Sequence, residues 1–303
     1  MIGILSPVMT KVVEEEESYP SPSAKTKINK AIGRYKLLSK AQKWKEHMDD
    51  IKFALADLLV ARGEEVDYKE ALTYYNAIIS KTHNQMLKGR SMIGKAELAI
   101  SGVERLSEDE AVALCKKGCA LLKGKPDDFF VAKGISVEAE LLVKKGGRKE
   151  VGAASKIFGK LIGNKKAHPY FRARALVGKA ELALYFGADS LSNGVKMCEE
   201  CLGIFAERPL DYFAVKARVV EAELLVRRGS SSDLHKAEDL CRKAIISPVH
   251  KDLAARAKLV LAEISKKDKA QRLFEEVLEQ DGLDPYLIEK AKIVERAAKN
   301  RFN

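Results

Sequence analysis

Two pairs of cysteines have the spacing that metal ligands adopt on one helical face. Cys115 and Cys119 are four residues apart, and Cys198 and Cys201 are three apart, so either pair could bind a zinc ion from one side of a helix. No histidine lies beside either pair in the sequence. In the internal repeat described below, these cysteines and Cys241 occupy positions that other repeats fill with aromatic or aliphatic residues. We therefore predict that they are small, buried hydrophobic side chains, with no metal and no cofactor.

The other motifs that carry chemistry are incomplete. Residues 89–95 match the GxxxxGK pattern of a phosphate-binding loop, but the next residue, Ala96, has no hydroxyl group for Mg²⁺. The helical pattern also places Gly94 and Lys95 in mid-helix, where no loop surrounds a phosphate. None of the five histidines lies in an HExxH pattern, and no serine lies in a GxSxG pattern. The sequence thus predicts a protein that is not an enzyme.

A third set of residues recurs at a fixed spacing from a repeated alanine. In most repeats a basic residue precedes this alanine by six positions, and an acidic residue follows it by one. Seven residues are two helical turns, so both charges lie on one face of a helix, and a largely apolar position lies between them. The candidate partner-binding residues on these rows are Arg90, Glu97, Lys133, Glu140, Arg174, Val177, Glu181, Lys216, Val219, Glu223, Arg256 and Glu263.

The repeated alanine begins a motif of alanine, an acidic residue, and leucine or isoleucine. Successive motifs are 40 to 43 residues apart. Their alanines are Ala56, Ala96, Ala139, Ala180, Ala222 and Ala262. A period of this length, in segments rich in alanine, leucine, glutamate and lysine, indicates a helical solenoid. A second helix follows each motif, with buried positions spaced four and then three residues apart.

Glycine and proline mark the ends of these helices. The glycines that can end the first helix of a pair are Gly63, Gly102, Gly146, Gly187 and Gly229. Five of the eight prolines fall between the second helix of one pair and the first helix of the next, where they interrupt no helix. These prolines are Pro126, Pro169, Pro209, Pro248 and Pro285. The pattern predicts a disordered arm at residues 1–24 and a solenoid at residues 25–303, with a lead-in helix, six helix pairs and a C-terminal capping helix.

The segment from Ala54 to Ile79 resembles a tetratricopeptide (TPR) repeat. It has small residues at Ala56 and Gly63 and an aromatic residue, Tyr75, in its second helix. The resemblance extends over roughly residues 43–303, although the period here is longer than the family's 34 residues. It implies an all-α, right-handed solenoid of stacked antiparallel helix pairs. It also implies that the first helices line a concave groove that holds peptides or partner helices.

The charged rows have two interpretations. In the first, they contact a peptide, a helix or a partner subunit in the groove. In the second, they are ladders of ion pairs that join neighbouring repeats, each pair contributing roughly a few tenths of a kcal/mol. Both interpretations stay open, since a partner can open a ladder of ion pairs. The leading prediction is a protein–protein interaction scaffold.

The charge of the chain supports a second function. The net charge is +11, which is compatible with binding to RNA or another nucleic acid. Basic runs occur at Lys144–Lys145 with Arg148–Lys149 and at Lys165–Lys166. Against this function, aromatic residues make up only 7% of the chain, which leaves few rings for base stacking. Nucleic-acid binding is therefore the alternative to the scaffold.

The sequence also predicts where the protein acts. No segment approaches the roughly 18 apolar residues that a membrane span requires, and the N-terminus lacks the basic flank and the apolar core of a secretory signal. Five cysteines are an odd number for a long chain and favour a reducing compartment. We therefore expect a cytoplasmic protein without a membrane span.

Overall fold

A computed structural model describes residues 22–62, 65–100, 106–123, 128–186, 188–209, 211–246, 251–280, 283 and 285–302. Within these ranges the chain is all-α: it has fourteen α-helices and two short 3₁₀ helices, and no strand. The predicted fold class, an all-α solenoid of stacked helix pairs, is confirmed, whereas its right-handedness stays a prediction. Among the described residues, no helix has both the length and the apolar character needed to cross a membrane.

Helices α2 to α13 form six consecutive pairs, with one helix before and one after them. The N-terminal helices are α1 (Pro22–Leu38), α2 (Met48–Arg62), α3 (Glu65–Lys81), α4 (Gln85–Ile100), α5 (Glu108–Leu122), α6 (Asp128–Lys145) and α7 (Arg148–Gly163). The C-terminal helices are α8 (Pro169–Leu182), α9 (Ala188–Ile204), α10 (Tyr212–Arg228), α11 (Ser231–Ile245), α12 (Lys251–Ile264), α13 (Lys267–Leu278) and α14 (Pro285–Phe302). The two 3₁₀ helices are Gln42–His47 and Ala183–Tyr185.

The chain forms two compact units, and the boundary between them lies inside α8. The N-terminal unit ends at Ala175, and the C-terminal unit begins at Leu176. In the N-terminal unit each helix from α2 to α6 packs on the next helix, and the first helices of successive pairs, α2, α4 and α6, lie beside one another. In the C-terminal unit α10, α12 and α14 lie beside one another in the same way. Each unit thus repeats one packing pattern.

The repeated alanine is fully buried in each first helix. All six of these alanines have 0% exposed surface, so no larger side chain fits where a first helix packs against its neighbours. The predicted inner face of the second helices is also buried. Its largest members are Tyr75, Phe158 and Phe274, in α3, α7 and α13. The hydrophobic spacing therefore predicted the core correctly.

The helix ends follow the expected chemistry where the structure describes them. Gly229 has a φ of +78°, and its N–H donates to the carbonyl of Leu225 at the end of α10. Gly146 and Gly147 also have positive φ values, of +74° and +86°, between α6 and α7. The other predicted helix-ending glycines lie outside the described residues, and so do three of the predicted junction prolines or their side chains. These residues are Gly63, Gly102, Gly187, Pro126, Pro248 and Pro285.

Two basic residues at equivalent repeat positions bind the end of the preceding first helix. The ammonium group of Lys144 donates to the carbonyls of Ala99 and Ile100, at 2.8 and 3.2 Å. In the other unit, Arg227 donates to the carbonyl of Leu184. Carbonyl groups at a helix C-terminus lack partners within the helix and carry partial negative charge, so a cation stabilises them.

The lead-in helix starts earlier than the sequence predicts. Helix α1 begins at Pro22, because proline is well tolerated in a first helical turn. Ile28 and Ile32 of this helix are buried. The rest of the predicted arm, residues 1–21, lies outside the described residues.

Candidate functional site

The charged rows lie on first helices that pack side by side. The basic residue of each row sits in the N-terminal half of its helix, and the acidic residue sits two turns later. Because α4 and α6 lie beside each other, as do α10 and α12, the acidic residue of one repeat comes close to the basic residues of later repeats. The result is one network of ion pairs in each unit.

The N-terminal network consists of Glu97, Lys133, Glu140 and Arg174. Lys133 contacts Glu97, with 3.1 Å between Nζ and Oε2. The guanidinium group of Arg174 donates to both oxygens of Glu140, at 2.8 and 2.7 Å, and to Glu97 at 2.9 Å. Arg174 therefore joins the carboxylates of α4 and α6, which belong to two different repeats.

The C-terminal network consists of Glu181, Lys216, Glu223, Arg256 and Lys290. Lys216 contacts Glu181 at 3.0 Å. Arg256 donates to both oxygens of Glu223, at 2.9 and 2.5 Å, and to Glu181 at 2.6 Å. Lys290, in α14, contacts Glu223 at 2.8 Å. The second network thus repeats the pattern of the first, with an arginine that holds two carboxylates.

Burial and charge act in opposite directions on the pKa values of Glu97 and Glu181. Burial by itself would raise the pKa of Glu97, but the positive charges of Lys133 and Arg174 outweigh it and lower that pKa to about 2. In the same way, Lys216 and Arg256 lower the pKa of Glu181 to about 2. The carboxylates therefore stay ionised well below neutral pH.

The acidic members of the N-terminal network are more accessible than its basic members. The side chains of Lys133 and Arg174 are 5% and 7% exposed, whereas those of Glu97 and Glu140 are 18% and 19% exposed. The two glutamate side chains thus offer more accessible surface to an approaching molecule than the two cations do. Lys133 and Arg174, which we predicted as partner contacts, support those carboxylates from beneath.

The apolar row does not reach this surface. Val177 and Val219 have no exposed area, so the structure places these two predicted partner contacts in the core. Phe53, Ile93 and Leu259, at the same repeat position, are buried as well. The candidate surface therefore consists of charged side chains without an apolar stripe between them.

The remaining predicted contacts lie at the two ends of the rows. The guanidinium group of Arg90 is 4.8 Å from the centre of the Phe130 ring, a distance at which the cation attracts the face of the ring. Glu263 is half-buried near the end of α12. Both residues belong to the rows by position.

Asp57 is a charged residue outside the predicted partner-binding set. It occupies the acidic position of the first repeat, is buried, and accepts a hydrogen bond from the hydroxyl group of Tyr75. Burial raises the pKa of Asp57. Gly94 makes room for the tyrosine, because a Cβ atom at this glycine would lie 2.4 Å from Cζ of Tyr75. Gly94, part of the phosphate-loop-like pattern, therefore has a packing role in mid-helix.

The cysteines have the properties of core residues. Cys115, Cys198, Cys201 and Cys241 are buried, as predicted, and Cys119 is half-buried. Burial raises the pKa of Cys119 to about 11 and the pKa of Cys201 to about 12, so both are thiols at neutral pH. Within the described ranges, no three His, Cys, Asp or Glu side chains come together in a group that could hold a metal ion.

Comparison with known proteins does not identify a family. No protein-family model matches the chain, and no curated protein matches it at a significant level. The resemblance to TPR repeats therefore remains a hypothesis from the sequence. Any role of the two networks therefore has to be inferred from the chemistry of their own residues.

Proposed function

We propose that this chain is a non-enzymatic scaffold that binds a peptide, a helix or a partner subunit at the surface of its first helices. The observation that carries the proposal is the partial exposure of Glu97 and Glu140, which lie in the same register on adjacent helices. The proposal accords with the groove that the resemblance to TPR repeats implies.

The chemistry of this surface favours a partner that donates hydrogen bonds. Arg174 and Lys133 already hold some of the carboxylate lone pairs, and the exposed edges of Glu97 and Glu140 can accept bonds from a lysine, an arginine or a backbone N–H. Because the positive charges of Lys133 and Arg174 keep Glu97 ionised, bonds to this carboxylate are charge-assisted. A partner can therefore bind without breaking the ion pairs that join the repeats.

The test compares partner recovery by matched variants. We expect the immobilised wild-type chain to retain a partner from extracts of its native cells, and the Glu97→Gln/Glu140→Gln variant to lose it. The control is Glu238→Gln/Asp239→Asn, which removes two acidic charges from more exposed positions on α11. Far-ultraviolet circular dichroism checks that each variant stays helical. Equal recovery by both variants would contradict the proposal.

A second measurement avoids mutation of the network. Carbodiimide labelling of exposed carboxylates, read by mass spectrometry, should modify Glu97 and Glu140 in the free chain. The bound partner should protect these two residues and leave Asp239 labelled. Labelling of Glu97 and Glu140 that does not change on binding would place the partner elsewhere.

A further inference from the structure

Helix α7 has a different charge from the other second helices. Four of its residues are basic, and only Glu150 is acidic, whereas each of the other five second helices has at least as many acidic as basic residues. Two more lysines follow the helix. The basic residues of this segment are Arg148, Lys149, Lys156, Lys160, Lys165 and Lys166, all of which are exposed. We refer to these six residues as the basic face.

The helical spacing places the three lysines of α7 on one side of the helix. Lys149, Lys156 and Lys160 are seven and four residues apart, so they lie in one row opposite the buried Phe158. Glu150 does not lie in this row, and its carboxylate is 3.9 Å from the ammonium group of Lys145. The one acidic residue of the helix therefore faces a different cation.

The basic face has no counter-charge within the part of the chain that the structure describes. None of its six cations forms an ion pair or a hydrogen bond through its side chain with another described residue. Exposed cations on α11 are paired, by contrast: Arg242 contacts Glu238 at 2.7 Å, and Lys243 contacts Asp239 at 2.6 Å. Like charges one helical turn apart, such as Lys156 and Lys160, repel each other. An external anion would remove this repulsion.

A glycine on the same face, Gly152, allows a ligand to come close to the helix backbone. Gly152 lies in the helix between Lys149 and Lys156, and a Cβ atom there would meet nothing within 4 Å. Glycine in mid-helix is unfavourable relative to alanine, and packing does not require this one. Its effect is to leave the backbone uncovered between two lysines, so an extended ligand can lie close to the helix.

These features indicate which kind of partner the basic face suits: an acidic protein, an anionic membrane or a nucleic acid. A protein interface usually has aromatic or other apolar anchors at its centre and is poor in lysine, but the exposed row of α7 contains lysine and glycine. A helix that binds at a membrane surface inserts an apolar face into the lipid, whereas the apolar side of α7 is packed in the core. Interfaces with nucleic acids are strongly basic and polar, and lysine binds phosphate as a point charge.

We propose that the basic face binds the sugar–phosphate backbone of a nucleic acid without reading its base sequence. Lys149 and Lys160 are separated by about 16 Å along the helix axis, at 1.5 Å per residue, so the row can contact several phosphates. This proposal concerns the second helix α7 and does not depend on the partner surface of the first helices.

The test is a binding titration of the full chain with fluorescently labelled 20-nucleotide RNA and DNA, single-stranded and duplex, at several salt concentrations. The variant is Lys149→Gln/Lys156→Gln/Lys160→Gln. The control is Arg242→Gln/Lys243→Gln/Lys267→Gln, which removes the same charge from exposed positions on α11 and α13. All six side chains are exposed, so circular dichroism should show no loss of helix in either variant.

We expect the wild-type chain to bind at low salt, with an affinity that falls linearly against salt on logarithmic axes. The α7 variant should bind at least tenfold more weakly, and its slope should decrease by about 2, because each lost contact to a single strand removes about 0.7. The control should remain within about threefold of the wild type. The RNA and DNA arms show whether the ribose hydroxyl contributes.

Three results would overturn the proposal. The first is no binding of any nucleic acid at low salt. The second is an equal loss of affinity in the variant and the control, since binding would then follow net charge alone. The third is tighter binding to polyglutamate or to vesicles of anionic lipid than to nucleic acid. Loss of partner recovery in the Glu97→Gln/Glu140→Gln variant, with unchanged nucleic-acid binding, would separate this site from the proposed scaffold surface.

Discussion

Arg174 and Arg256 have the same role in their respective units. Each guanidinium group contacts carboxylates from two different first helices, so one buried cation offsets the charge of two acids. Removing a charged group from water is costly unless its partners are well oriented. Arginine suits this position because its planar fork can hold one carboxylate with two parallel hydrogen bonds while a third N–H reaches another.

The lowered pKa of the network glutamates predicts how stability depends on pH. Glu97 and Glu181 have a pKa of about 2 in the folded chain, below the ordinary value of about 4.3 that applies when the chain is unfolded. The stabilisation is therefore fully present above about pH 4.5 and is lost as the pH falls towards 2, by about 3 kcal/mol for each residue. Urea unfolding followed by circular dichroism between pH 6 and pH 2 measures this loss.

The matched variant for this measurement is Glu97→Gln/Glu181→Gln. It should be less stable than the wild type at pH 6, and its stability should depend less on pH in the acid range. The Asp239→Asn/Glu276→Gln control, which removes two exposed carboxylates, should keep the pH dependence of the wild type in that range. An identical acid dependence in the wild type and in the Glu97→Gln/Glu181→Gln variant would show that other groups determine it.

The cysteines give a second test at the residue scale. Because burial raises the pKa of Cys201 and Cys241 to about 12, few thiolates exist at pH 8, and the protein covers them. We expect the native chain to react slowly with Ellman's reagent, with half-buried Cys119 reacting first. All five thiols should react quickly in 6 M guanidinium chloride. Rapid reaction of four or five thiols in the native chain would contradict their assignment to the core.

At the residue scale the sequence predicted which residues carry charge but not how deep each lies. The position three residues before the repeated alanine is 60° from it around the helix, whereas the acidic and basic positions are about 100° and 120° away. Val177 and Val219 are therefore drawn into the core beside the alanine, and the longer charged side chains extend towards the surface. The sequence spacing could not show that Arg174 reaches back by 77 residues to Glu97, because that contact depends on how the helices stack.

At the scale of helices, the close approach of two glycines determines how α4 and α5 pack against each other. A Cβ atom on Gly89 would lie 2.9 Å from the carbonyl oxygen of Gly118, and a Cβ atom on Gly118 would lie 2.7 Å from that of Gly89. Any side chain at either position would push the two backbones apart. Helix packing therefore explains Gly89, the first glycine of the phosphate-loop-like pattern.

Two alanine substitutions should consequently have opposite effects on stability. Gly118→Ala forces a methyl group against the backbone of α4, and we expect a loss of about 1 to 3 kcal/mol. Gly152→Ala adds a methyl group in open space in mid-helix and should stabilise the chain by about 0.5 to 1 kcal/mol. Differential scanning calorimetry of both variants measures the shifts. A destabilising effect of Gly152→Ala as large as that of Gly118→Ala would contradict the packing described for these helices.

The elements were largely predictable because their limits depend on local chemistry. Ser107 and Glu110 form a reciprocal capping box at the start of α5, and Pro169 begins α8. The exact starts were less predictable. The chain ahead of α2 forms a 3₁₀ helix at Gln42–His47, which the apolar spacing does not distinguish from an α-helix.

At the scale of the whole chain, the charged networks extend the usual behaviour of repeat proteins. In such proteins each repeat mainly contacts its neighbours, and stability is close to a sum of repeat and interface terms. Here Arg174 contacts carboxylates 34 and 77 residues earlier, and Arg256 contacts carboxylates 33 and 75 residues earlier. Within each unit, one arginine thus links three consecutive repeats. Stability should be more cooperative than contacts between adjacent repeats alone would produce.

The central claim is that first helices of matched register lie side by side, so that recurring residues become continuous rows. A double-mutant cycle between Glu97 and Arg174, measured by urea unfolding of Glu97→Ala, Arg174→Ala and the double variant, tests it most directly. We predict a coupling energy of about 1 to 3 kcal/mol, since residues that share an ion-pair network are not additive. Additive effects, with a coupling energy of zero within error, would show that Arg174 does not reach Glu97 across the stacked first helices and would contradict the account.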